Sequence, residues 1–194
     1  MRAVLGLGNP GPRYADTRHN AGFRVLDLLA ARWRAAPAAT EREYRAWTAG
    51  RASGDVALVQ PLTFMNRSGE ALRALRERMG PEEGLLVVAD DVYLPIGALR
   101  LRPRGGNGGH RGLESIEAAL PGQEFARLRI GVGSAASAEA LREHVLDRID
   151  DAERETYEAA LERAAQAVEC WLDEGILAAM NRFNGRIGPE EKTT

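Results

Sequence analysis

Ala3-Val4-Leu5-Gly6-Leu7-Gly8-Asn9-Pro10-Gly11 opens the chain, and the reading of its second half decides the fold. Residues 3–7 form an apolar run of strand length. Gly6, Gly8 and Gly11 then have the spacing of a dinucleotide-binding turn. That turn needs a helix to open within the motif, so that the first helical amides meet a pyrophosphate. Here Pro10 and Pro12 interrupt the chain, and Tyr14-Ala15-Asp16-Thr17-Arg18 carries no apolar stripe. A helix is predicted only over about 21–34, where Phe23, Leu26, Leu29 and Trp33 recur at helical spacing. An acid about 20 positions on, closing a second strand, is also missing, because Asp27 lies inside that helix. The better reading is a tight strand-to-loop turn that leaves Asn9 at a strand end.

Working outward, Tyr44 to Thr48 and Val56 to Gln60 read as a hairpin or two neighbouring strands around Gly50 and Ser53-Gly54. Ala71, Leu72, Leu75 and Met79 mark a second helix, stopped by Gly80-Pro81. Leu85-Leu86-Val87-Val88-Ala89 is the run expected of a strand covered on both faces. Residues 98–102 and 127–132 alternate with period two, each with an arginine-bearing face. Helices are predicted over 113–120, 140–146, 151–174 and 176–183. This order implies an α/β fold: one three-layer domain over 1–188, a twisted mixed sheet flanked by helices, with 189–194 a frayed tail.

The 194 residues, 44% of them hydrophobic, suffice for one sizeable core. No apolar stretch approaches the roughly 20 residues that cross a bilayer. Met1 is followed at once by Arg2 and a strand, without the pattern of a signal peptide, so a cytoplasmic protein is expected. The single Cys170 excludes an intrachain disulfide, and three histidines make a multi-histidine metal cage unlike this sequence. Lys192 is the only lysine among 26 basic residues. Residues 1–134 hold 19 arginines against 14 acids, whereas residues 135–174 hold 4 against 12. The basic body can attract a polyanion locally despite a net charge of −2.

Candidate chemistry collects at strand ends. His19 and Asn20 lie in the same loop as Asn9, leaving the C-terminal end of the first strand, where open α/β sheets place their sites. Asp90 closes the strand 85–89 and can reach the same edge. A carboxylate on one imidazole nitrogen fixes the tautomer and leaves the other nitrogen basic. Asn66, beside Met65 and just before a helix, is placed to grip a peptide group. Arg104-Gly105-Gly106-Asn107-Gly108-Gly109-His110-Arg111-Gly112 has four glycines in five positions among arginines 100, 102, 104 and 111, the composition of an anion cradle. The hydrolase nucleophile elbow and the P-loop are both absent. What remains is a metal-free site suited to activating a water and polarising a carbonyl.

These residues resemble bacterial peptidyl-tRNA hydrolase. Gly6 to Gly22 reads without a break as Gly-Leu-x-Asn-Pro-Gly-x-x-Tyr-x-x-Thr-Arg-His-Asn-x-Gly. Thr63-Phe64-Met65-Asn66-x-Ser68-Gly69, then Asp90 with Leu94-Pro95-x-Gly97, then Gly105-Gly106-x-Gly108-Gly109-His110-x-Gly112-Leu113 match further motifs. The resemblance implies a monomer without metal or cofactor that cleaves the ester between a peptide and the 3′-terminal ribose of tRNA, recycling tRNA. It implies His19 as general base and Asp90 as its orienter. It further implies Asn9, Tyr14, Asn20, Met65, Asn66, His110 and Arg111 around the substrate, and Arg100, Arg102 and Arg129 on tRNA phosphates at the acceptor stem and 3′ CCA end.

Two positions depart from the family pattern. Arg111 stands where the family usually has asparagine, and an arginine accepts no hydrogen bond. Ser134-Ala135-Ala136-Ser137 replaces the usual basic residue and Pro-Gly. Two other readings stay open at this point: an RNA-binding module on the same scaffold, since the resemblance includes relatives adapted to plastid RNA splicing, and a nucleotide-dependent oxidoreductase.

Overall fold

β1 (Arg2–Gly6) runs through the middle of an eight-stranded sheet in the computed structural model, which describes residues 1–134 and 138–186. The other strands are β2 (Ala36–Thr40), β3 (Tyr44–Arg51), β4 (Gly54–Pro61), β5 (Gly84–Asp91), β6 (Ala98–Arg102), β7 (Ala126–Gly131) and β8 (Gly185–Arg186). Their order is β2-β3-β4-β1-β5-β7-β6-β8. β4, β1, β5 and β7 are parallel neighbours, and the outer pairings are antiparallel, so the sheet is mixed as expected.

Alternation along the central strands divides the core. Val4, Leu58, Leu86 and Val88 point to one face, where they meet α1 (Ala21–Trp33), α5 (Asp151–Glu174) and α6 (Ile176–Phe183). Leu5, Val59, Val87 and Ala89 point to the other, against α2 (Ser68–Met79) and α3 (Arg111–Ala119). Each leucine so buried contributes about 1.5–3 kcal/mol, which is why β5 has apolar residues at consecutive positions. The remaining helix, α4 (Ala138–His144), is displaced two residues from the predicted 140–146.

The connections set the site. The chain leaving β1 crosses to one face as α1, whereas the chain leaving the adjacent β5 returns through β6 and α3 on the other. Divergence of two neighbouring strands in this way opens a crevice beyond their carboxyl ends. Residues 135–137 of the unusual Ser-Ala-Ala-Ser stretch and the expected frayed tail 189–194 lie outside the described residues.

Candidate active site

The loop after β1 is held from inside. The Asn9 amide donates to Asn20 Oδ1 at 2.8 Å, and Asn20 Nδ2 donates back to the Asn9 carbonyl at 3.0 Å. Asn9 Oδ1 in turn accepts from the Met65 amide at 2.9 Å, tying this loop to the 3-10 turn Met65–Arg67. A second 3-10 turn, Arg18–Asn20, is pinned from outside: the Arg18 and His19 amides donate to the Asp147 and Val145 carbonyls at 3.0 and 2.8 Å. Buried Arg18 reaches the Val132 carbonyl at 2.9 Å and Glu153 at 3.2 Å. His19 therefore stands on backbone fixed from three directions.

At the end of β5, Asp90 is 1% exposed. His19 Nδ1 donates to its Oδ1 at 2.7 Å, which leaves His19 Nε2 as the basic nitrogen. Burial works against the imidazolium, but the Asp90 charge and hydrogen bond outweigh it and hold His19 above the ordinary histidine range. Burial likewise opposes the Asp90 anion, and the two neighbouring histidines overcome it, keeping the carboxyl well below the usual range.

The second of those histidines is His110. Its ring caps α3, with Nδ1 accepting from the Gly112 and Leu113 amides at 3.1 and 3.2 Å. A nitrogen that accepts two N–H groups carries no proton, so the proton sits on Nε2, which donates to the same Asp90 Oδ1 at 2.9 Å. His19, Asp90 and His110 bring three ligand-type atoms within 4.8 Å of one another. The cap, however, makes His110 present an N–H and not a lone pair to the group, which is the wrong form for a metal ligand.

These three residues line a cleft of about 380 Å³ together with Arg111, Glu114 and Arg129. Asp91 and Tyr93 form its rim on the β5 side, with Leu141 and Val145 opposite. Arg111 is exposed and has no partner among the described residues, and Arg100 and Arg102 on β6 are free in the same sense.

Several expected residues stand elsewhere. Asn20 is buried with both amide ends spent on the Asn9 backbone, so its work is to shape the loop. Met65 is in the core, its sulfur against Gly112. Tyr14 lies outside the cleft under the Arg13 guanidinium, 5.6 Å from its ring centre. Asn66 is exposed, and neither it nor Asn9 lines this cleft. His110, expected around the substrate, lines the cleft with its side chain 8% exposed. Arg129, expected on tRNA phosphates, has its guanidinium bound to Asp91 at 3.1 Å and to the Gly106 and Asn107 carbonyls at 2.9 and 2.8 Å. Arg127 grips the same glycine loop at the Gly105 and Gly106 carbonyls. Both belong to the period-two arginine face, but only the register, with Arg129 opposite Arg100, shows which are occupied.

Fold and cleft together define an α/β protein with a histidine–carboxylate pair at the carboxyl ends of its strands. The family model described as peptidyl-tRNA hydrolase matches residues 3–192. A relative from Synechococcus sp. (strain JA-3-3Ab) is 46% identical over 188 residues, 95% of this chain and 83% of its own length. Another, from Chloroflexus aggregans, is 45% identical over 190 residues, covering 95% and 99%. The crystal structure of peptidyl-tRNA hydrolase complexed with N-propanol superposes with a TM-score of 0.89 at 32% identity, covering 97% of both chains. That from Acinetobacter baumannii gives 0.85 at 33%, covering 95% and 96%. The chain belongs to the peptidyl-tRNA hydrolase family. A nucleotide-dependent oxidoreductase is thereby set aside, in keeping with a first helix that opens only at Ala21. No helix among the described residues is long and apolar enough to cross a membrane.

Proposed function

We propose that this chain hydrolyses the ester between a peptide, or an N-blocked aminoacyl group, and the 3′-terminal ribose of tRNA, acting as a cytoplasmic monomer that returns tRNA to translation. The observation that carries the reading is the 2.7 Å bond from His19 Nδ1 to buried Asp90, which aims a free Nε2 at the cleft. In this mechanism Nε2 takes a proton from water as the water oxygen attacks the ester carbonyl. The carbon–oxygen bond to ribose then breaks, the proton on Nε2 passes to the departing ribose oxygen, and the peptide acid so formed releases its own proton to solvent, leaving a peptide carboxylate and free tRNA. Asp90 keeps the ring oriented and stabilises its charged form. Asn9 Nδ2 and the Asn66 amide, neither with a protein partner among the described residues, are the donors that position the substrate from the neighbouring edge. Arg100, Arg102 and Arg111 meet the phosphates of the acceptor stem and CCA end, since guanidinium geometry suits them. Arg129, with three of its five N–H groups bonded to Asp91 and the loop carbonyls, holds the loop beside them.

The test offers the enzyme N-acetylated aminoacyl-tRNA and the same tRNA with a free amine. Only the blocked form is released quickly. His19→Ala lowers kcat by about 10²–10⁴-fold, the scale of general base catalysis, and leaves KM within about twofold. Turnover near the wild-type rate in that variant excludes the mechanism. RNA binding with no hydrolysis by the wild type restores the binding-module reading. Because the base works unprotonated and Asp90 holds its proton on, kcat/KM falls with acid at a pH above the ordinary histidine value of about 6.5. In Asp90→Asn the acid limb moves down, since burial then acts unopposed.

A further inference from the structure

Asp90 offers a single oxygen to two imidazoles, while its Oδ2 has no protein partner among the described residues. One of those imidazoles is the base of the proposed reaction; the other has not been given work in it. We propose that His110 is a positioning residue for hydrolysis: its Nε2–H, fixed by the cap of α3, holds the Asp90 carboxylate against His19 and shares its charge. This rests on the reading of His19 as base with Asp90 as its orienter.

Three features support it. The ring of His110 cannot turn over without giving up the Gly112 and Leu113 amides, so the donor aimed at Asp90 is fixed by a helix rather than by side-chain packing alone. The two rings sit 5.1 Å apart at 54°, so neither stacks on the other and their common link is the carboxylate. And both donors converge on Oδ1, where a lone His19 contact would leave the carboxylate free to rotate about its bond to Cβ. Competition for that oxygen follows: each N–H disperses charge that would otherwise act on the other ring.

The surroundings leave His110 as the main modulator of that charge. From β5, Asp91 is tied to Arg129 of β7 and to the Tyr93 amide at 2.8 Å. From α3, Arg111 and Glu114 line the open side of the cleft, and Leu141 and Val145 supply apolar contact. On the turn of His19 itself, Arg18 is directed away to Glu153 and Asp150 of the α5 entrance. Tyr157 of α5 lies on the buried side, where burial pushes its phenol well up and keeps it neutral.

Two substitutions separate the donor from the cap. His110→Asn retains a good helix cap but is too short to reach Asp90. His110→Gln carries an amide N–H to about the depth of the imidazole Nε2 and gives up the better cap. With N-acetylated aminoacyl-tRNA as substrate, His110→Asn is expected to lower kcat about tenfold, as a loosened reacting group does, with KM within about twofold. Its melting temperature stays within about 1 °C. Its acid limb in kcat/KM moves up by about half a pH unit, because Asp90 then gives its full charge to His19. His110→Gln recovers most of kcat while melting about 2–4 °C lower, the scale for loss of a cap in a chain of this size. Wild-type kcat in His110→Asn, an acid limb unmoved or moved down, or activity in both variants falling only in step with melting temperature overturns the proposal. An active His19→Ala enzyme defeats the underlying reading instead, whatever the His110 variants do.

Discussion

Two loops border the cleft and are held on opposite terms. In the loop of residues 7–20, Asn9 and Asn20 are buried and bonded to each other, and the His19 amide is anchored on Val145. The glycine-rich loop of residues 103–110 is mostly exposed, and its anchors are the carbonyls of Gly105, Gly106 and Asn107, held by two arginines of the strand beneath. The first loop carries a base whose useful position is narrow, and its two ends, residues 7–9 and 17–20, are built like a core, with a mostly exposed stretch over 11–16 between them. The second needs a fixed position only at its end, where His110 starts a helix. Rigidity is therefore concentrated where the proton moves, and it should be measurable as a contrast between the loops.

The largest effect belongs to the first turn of α1, which closes the first loop onto the sheet. A Cβ on Gly22 would lie 2.4 Å from the Leu7 nitrogen, 2.5 Å from the Val88 oxygen and 2.6 Å from the Leu7 oxygen. All three are backbone atoms of the central sheet region, with no flexible side chain to yield. Gly22→Ala is expected to destabilise by about 3 kcal/mol or more, at the upper end for overpacking, as read by urea unfolding. A loss below about 1 kcal/mol would mean that the β1–α1 junction is far softer than the comparison holds.

Arg129→Gln comes next and acts on the second loop. It leaves buried Asp91 without its cation and frees two carbonyls, at an expected cost of about 2 kcal/mol. Amide exchange should quicken over 105–109 and stay unchanged over 18–20. The salt dependence of KM provides a second check. Arg129 has its charge paired with Asp91 and is bound to the loop carbonyls, so its loss is expected to leave the slope of log KM against log salt in place. Arg100→Gln or Arg102→Gln flattens that slope by about 0.7–0.9 per phosphate contact. A flattened slope in Arg129→Gln would return that residue to the phosphate clamp.

The same contrast explains what was legible in the sequence. Helical spacing from Phe23 to Trp33 and the unbroken run of β5 each record burial against a neighbouring layer, so those elements are visible in one dimension. The pairing of His19 with Asp90 follows from both ending up at strand termini on one sheet edge. β2 escapes notice because Ala36–Thr40 is an exposed edge segment held by its ladder to β3, without a hydrophobic pattern. The roles of Asn20 and His110 depend on which hydrogen-bond partners reach them. An imidazole cap lacks the Ser, Thr, Asp or Asn signature that marks a helix start. The arginine face of β7 was visible, but its occupation by loop carbonyls is a matter of register and loop path.

The smallest expected effect is the most discriminating for the second loop. A Cβ on Gly106 meets nothing within 4 Å. Gly106→Ala also restricts the unfolded chain, which favours the folded state by a few tenths of a kcal/mol where the native backbone tolerates alanine. Stability should therefore change by no more than about 0.5 kcal/mol, and the carbonyl that Arg129 holds is still present. The composition of the loop suggested a cradle whose amides touch an anion directly, and in that case an added methyl at 106 obstructs the approach. If the loop works chiefly by carrying His110 and Arg111, kcat/KM stays within about twofold of wild type. A fall of tenfold or more in kcat/KM with an unchanged unfolding midpoint would show that substrate backbone or phosphate comes up against Gly106. The exposed loop would then be a contact surface, and the division between a rigid site and a tolerant border would have to be redrawn.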